Sequence, residues 1–220
     1  MSANSVRPAR LIGVVGTGTD VGKTWVASQL LATLKLRGAR VAARKPVQSY
    51  APDDINTDAA RLAGASGEDV ADICPAHRCY PRAMAPPMAA TALGRGPVLM
   101  AELISEIHWP AGIDIGVVET AGGVRSPLAC DGDSMQLIEQ LQVDEVLLVA
   151  DAGLGTINAV RLTLAAIGGI PTLVYLNRFE RDNELHELNR RWLIERDKLT
   201  VITDVHSLAL AIERRSAHAR

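Results

Sequence analysis

The chain has 220 residues, of which 48% are hydrophobic, 22% charged and 3% aromatic, with a formal net charge of −2. That length suits one α/β domain over residues 1–220, with a core built mostly of Ala, Val, Leu and Ile. The near-neutral charge gives no electrostatic footprint for nucleic acid, and the apolar runs at 113–118 and 146–150 are strand-sized, too short to span a membrane.

Residues 1–10 are polar, contain Arg7 and Arg10, and lack the apolar core of a secretory signal. Leu11–Val15 reads as a strand, and a helical pattern begins near Trp25. Between them lies Gly16-Thr-Gly-Thr-Asp-Val-Gly-Lys-Thr24. Strand, glycine-rich turn, Gly-Lys-Thr and helix form the arrangement that cradles a nucleotide triphosphate. Glycines let backbone N–H groups close on phosphate oxygens, and the helix N-terminus adds its positive dipole end. Lys23 reaches the β- and γ-phosphates, and the Thr24 hydroxyl takes a place on Mg²⁺. The common spacing puts a glycine where Thr17 stands, so Gly16 falls one residue early.

Val26, Leu30, Leu31 and Leu34 recur at helical spacing, with Gly38 just beyond the helix end. Val41–Val47 reads as a second strand leading into Lys45-Pro-Val-Gln-Ser49. Lys45 either snorkels to the surface or meets an anion beside the phosphate loop. Asp53, Asp54 and Asp58 precede the apolar residues of 59–62, and serve either as helix N-terminal charges or as a carboxylate for Mg²⁺. Cys74, His77 and Cys79 are close in sequence but match no zinc spacing, and with Cys130 they make an odd count that suits reduced thiols in a cytoplasm. The prolines at 81, 86 and 87 make Tyr80–Met88 a loop, followed by a short helix at Ala89–Leu93. Pro97 then opens a helix to about His108.

Ile113–Glu119 is the next strand, and its terminal Glu119 precedes Thr-Ala-Gly-Gly. A carboxylate at a buried strand tip, followed by glycines, places an acid near a γ-phosphate and Mg²⁺; the alternative is a solvent-facing strand end. Ser134–Leu141 reads as a helix, Glu145–Ala150 as a strand and Ala159–Ile167 as a helix whose opening turn, 153–158, is a second anion site. Pro171–Asn177 is a strand. Phe179–Lys198 is an amphipathic surface helix with Leu185, Leu188 and Trp192 on its apolar stripe. Leu199–Ile202 is a last strand and Ser207–Arg215 a terminal helix. Strands alternating with helices give a mostly parallel sheet covered by helices on both faces.

Taken together, these segments resemble dethiobiotin synthetases. The resemblance rests on 16–24, Lys-Pro-Val-Gln-Ser at 45–49, Asn-Thr-Asp at 56–58, the proline loop at 81–87, Val-Glu-Thr-Ala-Gly-Gly at 118–123 and Leu-Gly-Thr-Ile-Asn at 154–158, in family order over residues 11–178. It implies a P-loop NTPase fold and an ATP-dependent ligase that joins CO₂ to 7,8-diaminononanoate as a carbamate. Phosphorylation of that carbamate by ATP and closure of the ureido ring would follow. It further implies Lys23, Lys45 and Thr19 as catalytic residues, and Gly18, Asp20, Val21, Gly22, Lys23, Thr24, Trp25 and Asn177 on the nucleotide. Thr24, Asp58 and Glu119 would hold Mg²⁺. Ser49, Gly122, Gly123 and Gly155, Thr156, Ile157 and Asn158 would bind substrate, the last four across the interface of a homodimer. The sequence departs from the family pattern at Thr120, at Asp20 and in 201–205, which lacks a glycine and proline after the last strand. Related P-loop ATPases, of the cobyrinic acid diamide synthetase or chromosome-partitioning type, are the alternative, together with a nucleotide-binding protein without this chemistry. The partitioning group carries an additional lysine early in the loop, where this chain has Gly-Thr-Gly-Thr.

Overall fold

A computed structural model describes residues 7–217. The first six residues of the polar N-terminal stretch lie outside it. Six parallel strands form the central sheet in the order β10 (Val201–Ile202), β9 (Thr172–Asn177), β8 (Glu145–Asp151), β1 (Arg10–Gly16), β5 (Ile115–Glu119) and β2 (Val41–Arg44). The first strand, β1 (Arg10–Gly16), sits inside the sheet between two later strands and is buried on both faces, as its unbroken apolar run requires. Leu11 and Val15 point to one helical layer and Ile12 and Val14 to the other. Gly13 shares the first of these faces, and a Cβ there would stand 2.5 Å from Ile138 Cδ1. The bare backbone lets the helix bearing Ile138 close on the strand.

Helix α1 (Lys23–Leu36) buries Val26, Leu30, Leu31 and Leu34 and ends, as the spacing predicts, just before Gly38 in the left-handed region. Each such side chain removed from water contributes about 1.5–3 kcal/mol. Strand β2 (Val41–Arg44) is shorter than the run to Val47 that the sequence suggests. The Lys45 N–H turns away to Ile73 O at 2.8 Å, and Pro46 has no N–H for a ladder. The chain then forms β3 (Gln48–Ser49) outside the main sheet. Helix α2 (Asp58–Ser66) is capped by the Thr57 hydroxyl and is followed by α3 (Val70–Ile73).

The proline section is more ordered than a loop. β4 (Cys79–Tyr80) pairs with β3, and α4 (Pro86–Ala92) starts on Pro86, whose missing N–H costs nothing in a first helical turn. Pro97 does not open a helix. Helix α5 (Met100–Ser105) begins later, where Asp131 Oδ1 accepts the Met100 N–H at 2.8 Å. After β5 (Ile115–Glu119), β6 (Pro127–Ala129) and β7 (Gly132–Asp133) form an antiparallel pair absent from the sequence reading. Helix α6 (Ser134–Gln140), β8 (Glu145–Asp151), α7 (Thr156–Ile167) and β9 (Thr172–Asn177) complete the central sheet's alternation.

Helix α8 (Glu184–Glu195) corrects one expectation. Leu185, Leu188 and Trp192 are exposed by 39%, 50% and 46%, while Asn189 and Leu193 face inward. Asn189 explains the rotation, because its side-chain amide donates to Ala152 O and Gly153 O at 3.0 Å each. β10 (Val201–Ile202) and α9 (Val205–Ala217) close the chain. Helices α1, α2 and α9 pack on one sheet face and α4 to α8 on the other, giving a buried cluster on each side. Among the described residues, no helix is long and apolar enough to cross a membrane.

Candidate active site

The glycine-rich turn leaves the carboxyl end of β1 and wraps toward α1. Gly16 is essential to its tightness, since a Cβ there would meet Gly18 O and Val21 Cγ2 at 2.9 Å. Gly22 has φ +91, and a side chain on it would run into the Asn177 amide. That amide, at the end of β9, donates to Val21 O at 2.9 Å and so holds the turn from outside. Lys23 folds over the turn, its Nζ donating to Gly18 O at 3.1 Å.

Beneath the turn lies a knot of charge. Lys45 Nζ reaches Glu119 Oε1 at 2.6 Å, Asp58 Oδ2 at 2.8 Å and Thr120 O at 3.1 Å. Its three protons therefore have three acceptors. The Lys45 and Glu119 side chains are 2% and 0% exposed, which excludes both a snorkelling lysine and a solvent-facing Glu119. The Thr24 hydroxyl lies 2.8 Å from both Asp58 Oδ1 and Glu119 Oε1. One hydroxyl proton serves only one of two carboxylates, and Glu119 Oε2 is buried with no partner. Converging hard oxygens with unspent acceptor capacity suit a divalent cation that shares its remaining positions with phosphate oxygens.

Burial disfavours the charge on Lys45, but Glu119 and Asp58 outweigh it and raise its pKa. Burial raises Glu119, against the pull of Lys45. Asp58 is opposed by burial yet held low by Lys45 and Thr24. Lys23 is lowered to about 8, first by burial and then by the neighbouring Lys45 charge.

These groups border a cleft of about 990 Å³. Thr19, Asp20, Gly22, Lys23, Thr24, Trp25, Lys45, Ser49, Asp58, Glu119, Gly122 and Asn177 all line it. Gly18 and Val21 contribute turn backbone, and Gly123 packs behind the turn, where its Cβ would sit 3.5 Å from Gly18 Cα. Ser49 is already committed, its hydroxyl donating to Met84 O at 2.6 Å. The Gly155–Asn158 turn does not line the cleft, and Gly155 and Asn158 are exposed. Asp53 and Asp54 are exposed, and Asp54 Oδ1 accepts the Asn56 N–H at 2.9 Å. His77 pairs with Glu106 at 3.1 Å, turned toward α5. Among the described residues, no group of three or more His, Cys, Asp or Glu side chains could hold a metal.

Sequence reading missed Arg178. It follows Asn177 with φ +56, donates to Asp151 Oδ2 at 2.8 Å and to Asp20 O at 2.7 Å, and lines the cleft. The signal was present in an arginine placed directly after a strand-end asparagine. A smaller recess of about 350 Å³ continues past Asn177, lined by Trp25, Tyr175, Arg178, Phe179 and Thr203.

A protein-family model for an AAA domain matches residues 10–209. The chain is 42% identical over 158 residues to an ATP-dependent dethiobiotin synthetase of Caulobacter sp. (strain K31), covering 70% of this chain and 68% of that protein. It is 38% identical over 197 residues to the enzyme of the same name from Haloferax mediterranei, covering 86% and 81%. The chain belongs to the dethiobiotin synthetase family. Among solved structures, a plasmid partition protein from Borrelia burgdorferi superposes with a TM-score of 0.57 at 12% identity, covering 95% of this chain and 100% of that one. That likeness shows a shared fold with this dethiobiotin synthetase family member and nothing of its chemistry.

Two outcomes follow from the charge knot. Lys45→Met strands a buried carboxylate and should lower stability in denaturant unfolding by about 3–5 kcal/mol. Lys45→Met combined with Glu119→Gln should recover much of that loss, and additive losses would show the two groups to be uncoupled. Lys23 is an ammonium below about pH 8 and becomes a neutral amine above it. A bound polyphosphate favours the ammonium, so nucleotide affinity should fall as pH rises through that value. An affinity flat between about pH 7 and 10 would place Lys23 away from the phosphates.

Proposed function

We propose that this chain is an ATP-dependent dethiobiotin synthetase, formed by residues 1–220 as one domain and working in the cytoplasm. The observation that carries the reading is the Lys45–Glu119–Asp58–Thr24 knot, built on a buried Lys45–Glu119 pair, under a glycine-rich phosphate turn, in a chain whose relatives bear that name. One amine of the diamine takes up CO₂ to give a carbamate. A carbamate oxygen then attacks the γ-phosphorus of ATP and ADP leaves. The second amine attacks the carbonyl of the resulting mixed anhydride, closing the ureido ring and releasing phosphate.

The protein's part is orientation and charge. Lys23 and Lys45 offset negative charge on the transferring phosphoryl group and on the carbamate, and no covalent nucleophile is needed. Thr19 and Ser49 border the amines, Gly122 lines the cleft without a side chain, and Gly123 lets the phosphate turn pack close behind it. Mg²⁺, held by Thr24, Asp58 and Glu119, supplies further neutralisation of triphosphate oxygens when bound. Asn177 faces the base, and the recess beside Trp25 and Phe179 offers aromatic surface for it. The Lys45 charge, held in place by Glu119 and Asp58, lowers the pKa of Lys23, and an anion arriving beside Lys23 would favour its ammonium form.

The test combines purified protein with 7,8-diaminononanoate, bicarbonate, ATP and Mg²⁺, and follows phosphate release. Release should depend on the diamine and fall by roughly 10²-fold or more in Lys23→Ala, whose fold should persist. Phosphate release indifferent to the diamine would favour an ATPase of another kind.

The Gly155–Asn158 turn supports a homodimer. Its helix N-terminus, which suits a carboxylate, lies outside its own cleft with Gly155 and Asn158 exposed. In a shared site, Asn158→Asp should weaken diamine binding while sparing nucleotide. Mixing it with Lys23→Ala should restore activity, because one site of each mixed dimer unites both intact halves. A fully active monomer would exclude that arrangement.

A further inference from the structure

A sulfur pair braces the cleft floor from behind and takes no part in the chemistry above. Cys74 follows α3 and is buried, while Cys79 opens β4 and is half-buried. Their Sγ atoms lie 3.6 Å apart. Cys79 Sγ accepts from Gln48 Nε2 at 3.1 Å, and Gln48 Oε1 accepts the Ala59 N–H at 3.0 Å. Ala59 is the second residue of α2, and Asp58 is the first. A single buried amide thus connects a thiol to the turn that presents Asp58 to Lys45 and Thr24.

We propose that Cys74 and Cys79 form an oxidisable dithiol, a modification site that a small-molecule disulfide closes, and that closure acts through Gln48 to loosen the first turn of α2. Cys79 is the sulfur a reagent reaches. Its thiol is lowered to about 6, first by the hydrogen bond from Cys74, against burial and with help from Gln48, Arg95 and His77. The Cys79 thiolate attacks one sulfur of glutathione disulfide, breaking that S–S bond and releasing one glutathione thiolate. Cys74 is held protonated mainly by its bond to Cys79, and that reason ends once Cys79 is in a mixed disulfide. Cys74 passes its proton to the released thiolate and attacks Cys79 Sγ, expelling the second glutathione as thiolate. The two protein sulfurs lose two electrons together, and the reagent disulfide becomes one glutathione thiol and one thiolate, which takes its proton from solvent.

Closure draws the sulfurs from 3.6 Å to about 2.05 Å. It also removes the charge that Gln48 donates to, and a neutral disulfide sulfur is a poor acceptor. Gln48 is then free to turn, and Ala59 loses the partner that fixes the start of α2. The effect on turnover rests on the activity proposed above, whereas closure and the response of α2 do not.

The experiment uses the full chain with Cys130→Ser, which silences the exposed third thiol. Protein equilibrated in glutathione disulfide is quenched, alkylated and mapped by mass spectrometry, with hydrogen exchange followed over residues 58–62. The expected result is a Cys74–Cys79 linkage reversed by dithiothreitol, faster exchange in that segment and roughly tenfold lower turnover per unit diamine. Cys79→Ser keeps an acceptor for Gln48, so it should match reduced protein in both buffers. Glutathione remaining on Cys79 without linkage, or no reaction in the folded protein, would overturn the dithiol. Linkage with unchanged exchange at 58–62 would overturn the connection through Gln48. A reduced protein lacking diamine-dependent turnover would count against the proposed activity and leave the mass and exchange readings standing.

Discussion

The contact between Lys45 and Glu119, 2.6 Å long and sealed from solvent, is the constraint around which the rest is arranged. Either charge alone in that position would be strongly unfavourable, and removal of one partner is far worse than never having had the pair. The protein meets the demand by bringing three chain segments to one point. The end of β2 supplies the lysine, the tip of β5 the glutamate and the first residue of α2 a second carboxylate. The parallel register that pairs Arg44 with Val118 brings Lys45, one residue on, level with Glu119.

The supporting sheet places this knot where α/β proteins gather ligands. β1 is flanked by β5 on one side and β8 on the other, and the glycine turn leaves its carboxyl end. Helices depart in opposite senses there, leaving a crevice that strand tips can line. Glu119 and Asn177 stand at the ends of β5 and β9, so their backbone positions are set by the ladder and not by loop conformation. Asn177 gives its amide to the turn itself, which makes a strand more than 150 residues away part of the phosphate cradle.

Local pattern made the alternation of strands and helices legible, together with the Gly-Lys-Thr turn and the α1 core face, because these depend on neighbours in sequence. The candidate status of Lys45, Asp58 and Glu119 was legible by the same route, but not their meeting, which joins residues 74 apart. Element ends were misread where a distant group decided them. Met100 waits for Asp131, and the Lys45 N–H is taken by Ile73. Helix α8 was read on the wrong stripe because apolar spacing favoured its leucines. The inward face was instead chosen by an asparagine that satisfies two loop carbonyls. Pairs as short as β6 and β7 carry too few residues for any period to show.

Asp151 gives the far edge of the cleft a mechanical property. One of its carboxylate oxygens accepts the Gly153 N–H at 2.9 Å, and the other holds Arg178, which in turn grips Asp20 O. The backbone leading into α7 and the backbone of the phosphate turn are therefore two ends of one short strut. Its Asp151–Arg178 link is an exposed ion pair, so salt that screens it would loosen the tie between the start of α7 and the phosphate turn, leaving the left-handed backbone of Arg178 in place.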